Sequence, residues 1–423
     1  MLIIPKGLKA FGDFFVPLSR NNIIKVKMLI NRLVIVFCCI FFLTASVSAQ
    51  RKQIGEARTY LKSGKNLDRA EKLMTDLLKD SANQDNKRIY EIWLQSVQKQ
   101  YEQANERFYM HKQQDTAQFF SLVRRMFSIA FCMDSLDMRP DKKGRVEPEL
   151  RKDVARDMIG YRPNLFFGGA YHVRKSDFQK AYDFFETYID CTRQPLFTGY
   201  DPIFSDDRKA EAAYWACYCG YRMNDPVLAL RHRGLALADS SKRDMTFQYI
   251  AESWKTLKDD SMYVATLRDG FAEYPTSNYF FPRLMDRYTQ TGQYEKALHV
   301  VDKALEADSL NELYLYAKSN VLMQQERYAE SLALTNKLLT LNDKQADAYF
   351  NGGSAYLNIA LRMDPQRHKK LVREMYQKAL PYMEKYRALA PQQTQKWGPA
   401  LYRIYFNLNM GKQFDEIDKI LKK

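Results

Sequence analysis

The sequence predicts an all-α chain of paired helices stacked one pair upon the next. Three observations carry that prediction. A spaced set of aromatic and small residues recurs every 34 positions from Phe281 onward. Glycine and proline number 17 and 14 in 423 residues, too few turn formers for a sandwich of short strands. The 28 Tyr and 25 Phe supply the bulk that interdigitated helices need. Hydrophobic residues at 46% and charged ones at 27% exclude both a disordered chain and one that fills a membrane. Six cysteines in this length exclude a small disulfide-stapled scaffold.

Residues 1–49 read as an export address. From Met28 the chain reads as a secretory signal: Arg32 supplies a positive n-region, Leu33 to Leu43 is an unbroken apolar run, and Thr44 to Ala49 supplies small residues with a cut expected before Gln50. The run is shorter than the ~18–20 residues that span a bilayer; an uncleaved anchor is the alternative. Residues 1–27, ahead of a second Met, read as a misassigned start or an overlong n-region. Neither Cys38 nor Cys39 follows the small residue that a lipoprotein site needs, since Phe37 and Cys38 precede them. The leader holds six cations against Asp13, so cleavage removes five of the fifteen net positive charges.

Residues 50–150 form degenerate helical pairs and a linker. Ile54-x2-Ala57-x3-Leu61 and Leu67-x2-Ala70-x3-Met74 space apolar side chains along one helix face each. Arg88 to His111 and Asp115 to Asp134 read as two long helices, and Met138 to Arg145 as a polar linker. In 151–277 the pairing is clearer. Leu165 to Tyr171 opens one pair, closed by Phe178-x2-Ala181-x3-Phe185-x2-Tyr188. Ala213-x2-Ala216 and Ala229-x6-Ala236 form another, with Pro226 at a helix start where its missing N–H is harmless.

In 278–391 the repeat is explicit. Phe281-x2-Leu284-x3-Tyr288 is followed by Gly292-x-Tyr294-x2-Ala297; Tyr328 and Ser331 repeat the second half 34 residues on, and Gly353 and Tyr356 continue the series. Tyr376, Ala379 and Pro391 resume it after an insertion of 14 residues near 357–372, expected to lengthen both helices. Residues 392–423, with Trp397, Leu401 and Ile404 followed by Phe414, Ile417 and Leu421, fit a hairpin that caps the array with a polar outer face.

These spacings match the pattern W-x2-L-G-x2-Y followed by A, F and P, so the chain resembles the tetratricopeptide repeat (TPR) family, in an exported bacterial form. The resemblance implies a right-handed α-α superhelix, a solenoid of TPR-like hairpins whose first helices line a concave groove that takes a peptide or partner helix. It covers most of 53–423. The repeat register nominates the groove residues. From 151–277 these are Phe166, Ala170, Tyr214, Tyr218, Tyr221 and Arg222. From 278–391 they are Tyr279, Asp286 and Gln290, then Tyr316, Asn320 and Gln324, then Phe350 and Ser354. Tyr214, Tyr218 and Tyr221 share one helix face, and aromatics beside an Arg suit a binding hot spot; packing against the next hairpin is the other reading. Members that clamp the carboxyl terminus of chaperones present Lys and Asn here, and only Asn320 conforms.

No constellation for chemistry emerges. His111, His172, His232, His299 and His368 form no i, i+4 pair, and no Cys-x2-Cys occurs, so neither metal nor cofactor is expected. Gly168-Gly169 and Gly352-Gly353 fall at the close-contact position of a first helix, which packing explains better than a phosphate loop does. Asp206-Asp207 and Asp259-Asp260 read as helix-start acids. Cys132, Cys191, Cys217 and Cys219 read as buried small hydrophobes, with a Cys191 bridge to Cys217 or Cys219 as the alternative. Lys and Arg are interspersed with acids, with the densest run at Lys142 to Arg145, so nucleic acid is not an expected partner. The expectation is a non-enzymatic interaction scaffold of the periplasm or cell envelope, bound to another exported protein. Its alternative is a structural subunit of an envelope assembly or secretion complex. Membrane contact is expected only through an uncleaved leader.

Overall fold

The computed structural model describes residues 50–112, 115–140, 143–146, 148–199, 206 and 208–422; the leader, Lys142 and Asp207 lie outside them. Every regular element among the described residues is helical. The chain divides into two compact units, residues 1–206 and 207–423.

In the first unit a helix over 50–63 pairs with Leu67–Leu77 around Ala57, Ala70 and Met74, all fully buried. The long pair follows as Lys87–Tyr109 and Thr116–Asp137. Between these hairpins the buried Glu71 carboxylate accepts from Trp93 Nε1 at 3.3 Å, Gln100 Nε2 at 2.8 Å and Arg125 at 2.9 Å, so a buried charge has its partners. The linker is fastened too. Asp137 accepts from Lys87 at 2.7 Å and from the Leu150 and Arg151 amides at 2.7 and 3.1 Å. Burial pushes that carboxyl up, but these donors prevail and hold it below its ordinary range. Arg151–Tyr161, Pro163–Arg174 and Phe178–Asp190 complete the unit.

The second unit is a run of hairpins: Arg208–Arg222 with Pro226–Arg231 and Arg233–Ala236, then Arg243–Thr256 with Asp260–Glu273, Phe280–Gln290 with Tyr294–Ala307, Glu312–Gln324 with Tyr328–Leu341, Ala346–Leu361 with Lys369–Leu389, and Thr394–Leu408 with Gly411–Leu421. The segment read as one helix from Ala229 to Ala236 is interrupted at His232, whose φ of −110° and ψ of 20° leave the helical region.

The backbone keeps the 34-residue interval more strictly than the side chains do. Asn224, Lys258, Gly292 and Glu326 all turn through the left-handed region, at φ of 55°, 59°, 67° and 63°. Each lies just past a first helix. The amide after each donates back over the helix end: Asp225 to Gly220 at 2.9 Å, Asp259 to Trp254 at 3.0 Å, Gln293 to Tyr288 at 2.8 Å and Arg327 to Leu322 at 2.9 Å. That bond defines a Schellman cap and satisfies a carbonyl the helix cannot. Second helices then open at Pro226, Asp260, Tyr294 and Tyr328, again 34 apart. Asp225 and Asp259 accept from amides of the turn they open, which makes both of them caps.

The next step of the ladder, Ala360, breaks it. The helix Ala346–Leu361 runs straight through and is 16 residues long against 13 for Glu312–Gln324. Its partner is 21 residues against 14 for Tyr328–Leu341. Pro381 sits inside that partner helix, where it removes one intrahelical donor. The paired glycines serve close contact. A Cβ on Gly168 or Gly169 would come within 2.7 or 2.6 Å of the Phe184 or Phe185 ring, and one on Gly352 or Gly353 within 2.5 or 2.8 Å of Tyr382 or Met383.

Candidate interaction face

First helices of the second unit place the nominated residues in register, and three clusters result. In the first, Tyr214, Tyr218 and Tyr221 surround Tyr249 of the following hairpin. Tyr221 stacks on it with ring centroids 4.8 Å apart and an interplanar angle of 26°, while Tyr218 and Tyr214 lie at 5.6 and 6.1 Å. Arg222 donates to the Tyr218 hydroxyl, and Lys242 Nζ stands 5.6 Å from the Tyr214 ring. Burial, then the Tyr214 contact, pushes the Tyr249 phenol well above its ordinary value. Tyr221 nonetheless remains 40% exposed.

In the second cluster, the Tyr279 hydroxyl donates to Glu252 Oε1 at 2.7 Å, and the Arg283 guanidinium lies 3.7 Å above the Tyr279 ring and 3.5 Å from Glu252. Burial first and this carboxylate second keep the Tyr279 phenol protonated far into the alkaline range. Asp286 and Gln290 continue down the same helix, both exposed. In the third, Asn320 Oδ1 accepts from Asn351 at 2.7 Å; Asn351 also reaches the Ser319 hydroxyl, which meets Ser331 and Thr335 at 2.9 and 3.0 Å. A buried polar network with its partners in place rigidifies the hairpins that carry it. Tyr316 is half-buried, and Phe350 rests 5.1 Å from the Tyr386 ring with Lys396 Nζ above its face.

Two nominated residues serve packing instead. Tyr214 is buried in the tyrosine cluster, and Phe166, in the first unit, is buried between Phe185 and Tyr188 at ring distances of 5.6 and 5.8 Å. Phe166 fills the space within its own hairpin and Tyr214 the space to the next, before either can face a partner. Register would have found Glu252, 34 residues before Asp286, and helix spacing Arg283, four residues after Tyr279. The cysteines divide: Cys191, Cys217 and Cys219 are buried free thiols, whereas Cys132 is free and exposed. Cys132 therefore departs from the buried reading, because it lies on the open side of its helix.

A cleft of about 1100 Å³ opens on the opposite, second-helix side, between Asp260–Glu273 and Tyr294–Ala307. Val264, Phe271, Tyr288 and Val300 form its apolar lining, and small side chains at Ala265, Ala272 and Ala307 leave the space. Nothing in the sequence pattern singled it out. Among the described residues, no group of three or more His, Cys, Asp or Glu side chains could hold a metal ion, and no helix is long and apolar enough to cross a membrane.

No protein-family model matches the sequence, and no curated protein is similar to it. Solved structures are. The C-terminal part of a TPR repeat-containing protein from Cytophaga hutchinsonii aligns over 60% of this chain and 93% of its own, at 14% identity and a TM-score of 0.40. YrrB, described as a TPR protein with an unusual peptide-binding site, aligns over 45% and 91% at 16% identity and a TM-score of 0.33. PilF of Pseudomonas aeruginosa aligns over 58% and 98% at 15% identity and a TM-score of 0.31.

Proposed function

We propose that the chain is a non-enzymatic protein–protein interaction scaffold of the bacterial cell envelope, exported by its leader and binding a peptide or partner protein along the first helices of the second unit. The observation that carries this reading is Tyr221: a ring left partly in solvent yet held rigid on Tyr249, with Arg222 beside it. Rigid aromatics next to a cation are what interaction hot spots are made of. A lengthened hairpin over 346–389 favours a second reading, a structural subunit of an envelope assembly or secretion complex.

The test is crosslinking in cells from a photoreactive side chain at position 221, compared with one at position 303 on the second-helix side. Adducts with an exported protein are expected from 221 alone. Tyr221→Ala should weaken capture of that partner by about 30-fold, the effect of losing ~2 kcal/mol. Equal adducts from both positions, or full capture by Tyr221→Ala, rule out this face. Fractionation with N-terminal sequencing checks export, with Gln50 expected at the start of the mature chain.

A further inference from the structure

The lengthened hairpin forms a second surface with the tip of the last hairpin, built from residues other than those of the three clusters above. Tyr376 stands where Tyr294 and Tyr328 open their helices, yet this helix begins seven residues earlier, at Lys369. The two added turns, about 10 Å of helix, face the tip of the last hairpin, where Asn409 turns at φ of 60°. Between them lies a cleft of about 760 Å³. Val372, Tyr376, Phe406, Met410 and Phe414 give it an apolar lining, Lys369 and Arg373 border it, and no carboxylate does. The two acids on the same stretch are already engaged, Asp364 with Arg367 and Glu374 with Lys378, while neither Lys369 nor Arg373 has an ion-pair partner among the described residues. Residues 362–374 carry five Lys or Arg against these two acids. Phe406 is 65% exposed although its ring lies 5.8 Å from Phe414.

We infer that this notch docks a short acidic segment of a partner protein. The segment seats an aromatic or leucine side chain against Phe406 and Met410 and sets carboxylates against Lys369 and Arg373. Charge complementarity selects the sign, since uncompensated cations beside an apolar recess attract an anionic ligand and reject a basic one. The volume falls within the ~300–1,000 Å³ of binding clefts, enough for a few side chains of one helix face. A concave recess with apolar walls suits a peptide side chain better than a lipid surface, which asks for exposed cations on a flat face. The inference holds under either reading of the function, because the notch shares no residue with the tyrosine clusters.

The test uses the full chain and a fluorescein-labelled synthetic helix bearing Phe and Leu four apart between Asp and Glu, read by anisotropy. Arg373→Glu, Lys369→Glu and Phe406→Ala are each expected to weaken binding by about tenfold or more, as is raising the salt to ~1 M, where the screening length falls to ~3 Å. The same peptide with Lys for its acids should prefer Arg373→Glu over the wild type. All three side chains are solvent-facing, and an unchanged thermal transition verifies that the variants fold. Equal binding by wild type and variants overturns the inference. So does equal binding of the acidic and basic peptides, or loss of binding in Tyr221→Ala but not Arg373→Glu. Binding to anionic phosphatidylglycerol vesicles that needs Arg373, without peptide binding, also overturns it and identifies a membrane-facing patch.

Discussion

Cys191, Cys217 and Cys219 are buried, and burial pushes each thiol up to about 12. A thiol kept neutral is neither a nucleophile nor a metal ligand, so these side chains act as small apolar filling. Tyr405 behaves alike: burial first, then Glu384, raises its phenol to about 12. The sign of the consequence follows from proton binding. Unfolded, the thiols ionise near 9, while the folded chain keeps them protonated. Above that pH the unfolded state binds fewer protons, and stability falls as pH rises toward 12. The second unit should hold its urea midpoint from about pH 7 to about 8.5 and lose stability above about 9, approaching ~1.4 kcal/mol per pH unit for each buried thiol. Cys217→Ala should remove one thiol's share of that slope. A midpoint that stays level to about pH 11 is incompatible with these buried thiols.

At the scale of the element, what could be read in advance depended on which atoms carry the repeat. Tyr294, Ala297 and Tyr328 announce their helices because a large ring beside a small residue is a side-chain device, visible as letters. The turn ladder is a backbone device. Gly292 advertises its left-handed turn and Asn224 partly so, but Lys258 and Glu326 occupy the same conformation with no such signature. The interval therefore extends back to 224, beyond the stretch where the letters are explicit. Glu252 was recoverable from register and Arg283 from its place one turn after Tyr279; the stacking of Tyr221 on Tyr249 was not, because it depends on how two hairpins meet. The 14-residue insertion was legible as a phase break, but the notch it forms with the tip of the last hairpin required the fold. Lys258 supplies the check on the ladder. An L-residue pays ~1–2 kcal/mol to turn left-handed, less the entropy that glycine loses on folding. Lys258 is exposed and makes no ion pair that would be lost. Lys258→Gly is thus expected to stabilise the second unit by about 0.5–1 kcal/mol, a rise of about 1–4 °C in its thermal transition. A lower transition temperature would show that this turn does not control the helix end.

For the whole molecule, hairpin arrays raise the question of how they end. Each hairpin buries one face on the hairpin before it and offers the other to the hairpin after, so stability is shared between neighbours and the last apolar face must be closed. Here Trp397, Leu401, Ile404 and Ile417 are buried against Tyr376, Ala379, Met383 and Tyr386 of the preceding helix. The outer side of the final helix is polar, with Asp415, Glu416 and Lys419 exposed, and Glu416 reaches back to Arg387 at 2.7 Å. Burial of large apolar side chains stabilises by about 1.5–3 kcal/mol each, so this closure is comparable with the total stability of an ordinary domain. A chain ending at Gln393 would uncover the side of Lys369–Leu389 that carries Tyr376 and Ala379. It is expected to unfold in its second unit with a transition lower by tens of degrees or to associate through the opened face, visible as concentration-dependent mass in light scattering. Introducing Asp at Tyr376, which lines the notch with Phe406 and Phe414 of the last hairpin, should suppress the association in the truncated chain without restoring the transition, because charge blocks the contact but does not rebuild the buried area. A truncated chain that stays monomeric and melts with the full protein would mean that the hairpin adds no closure, and the stability of the second unit would then have to reside in the ladder between 208 and 389.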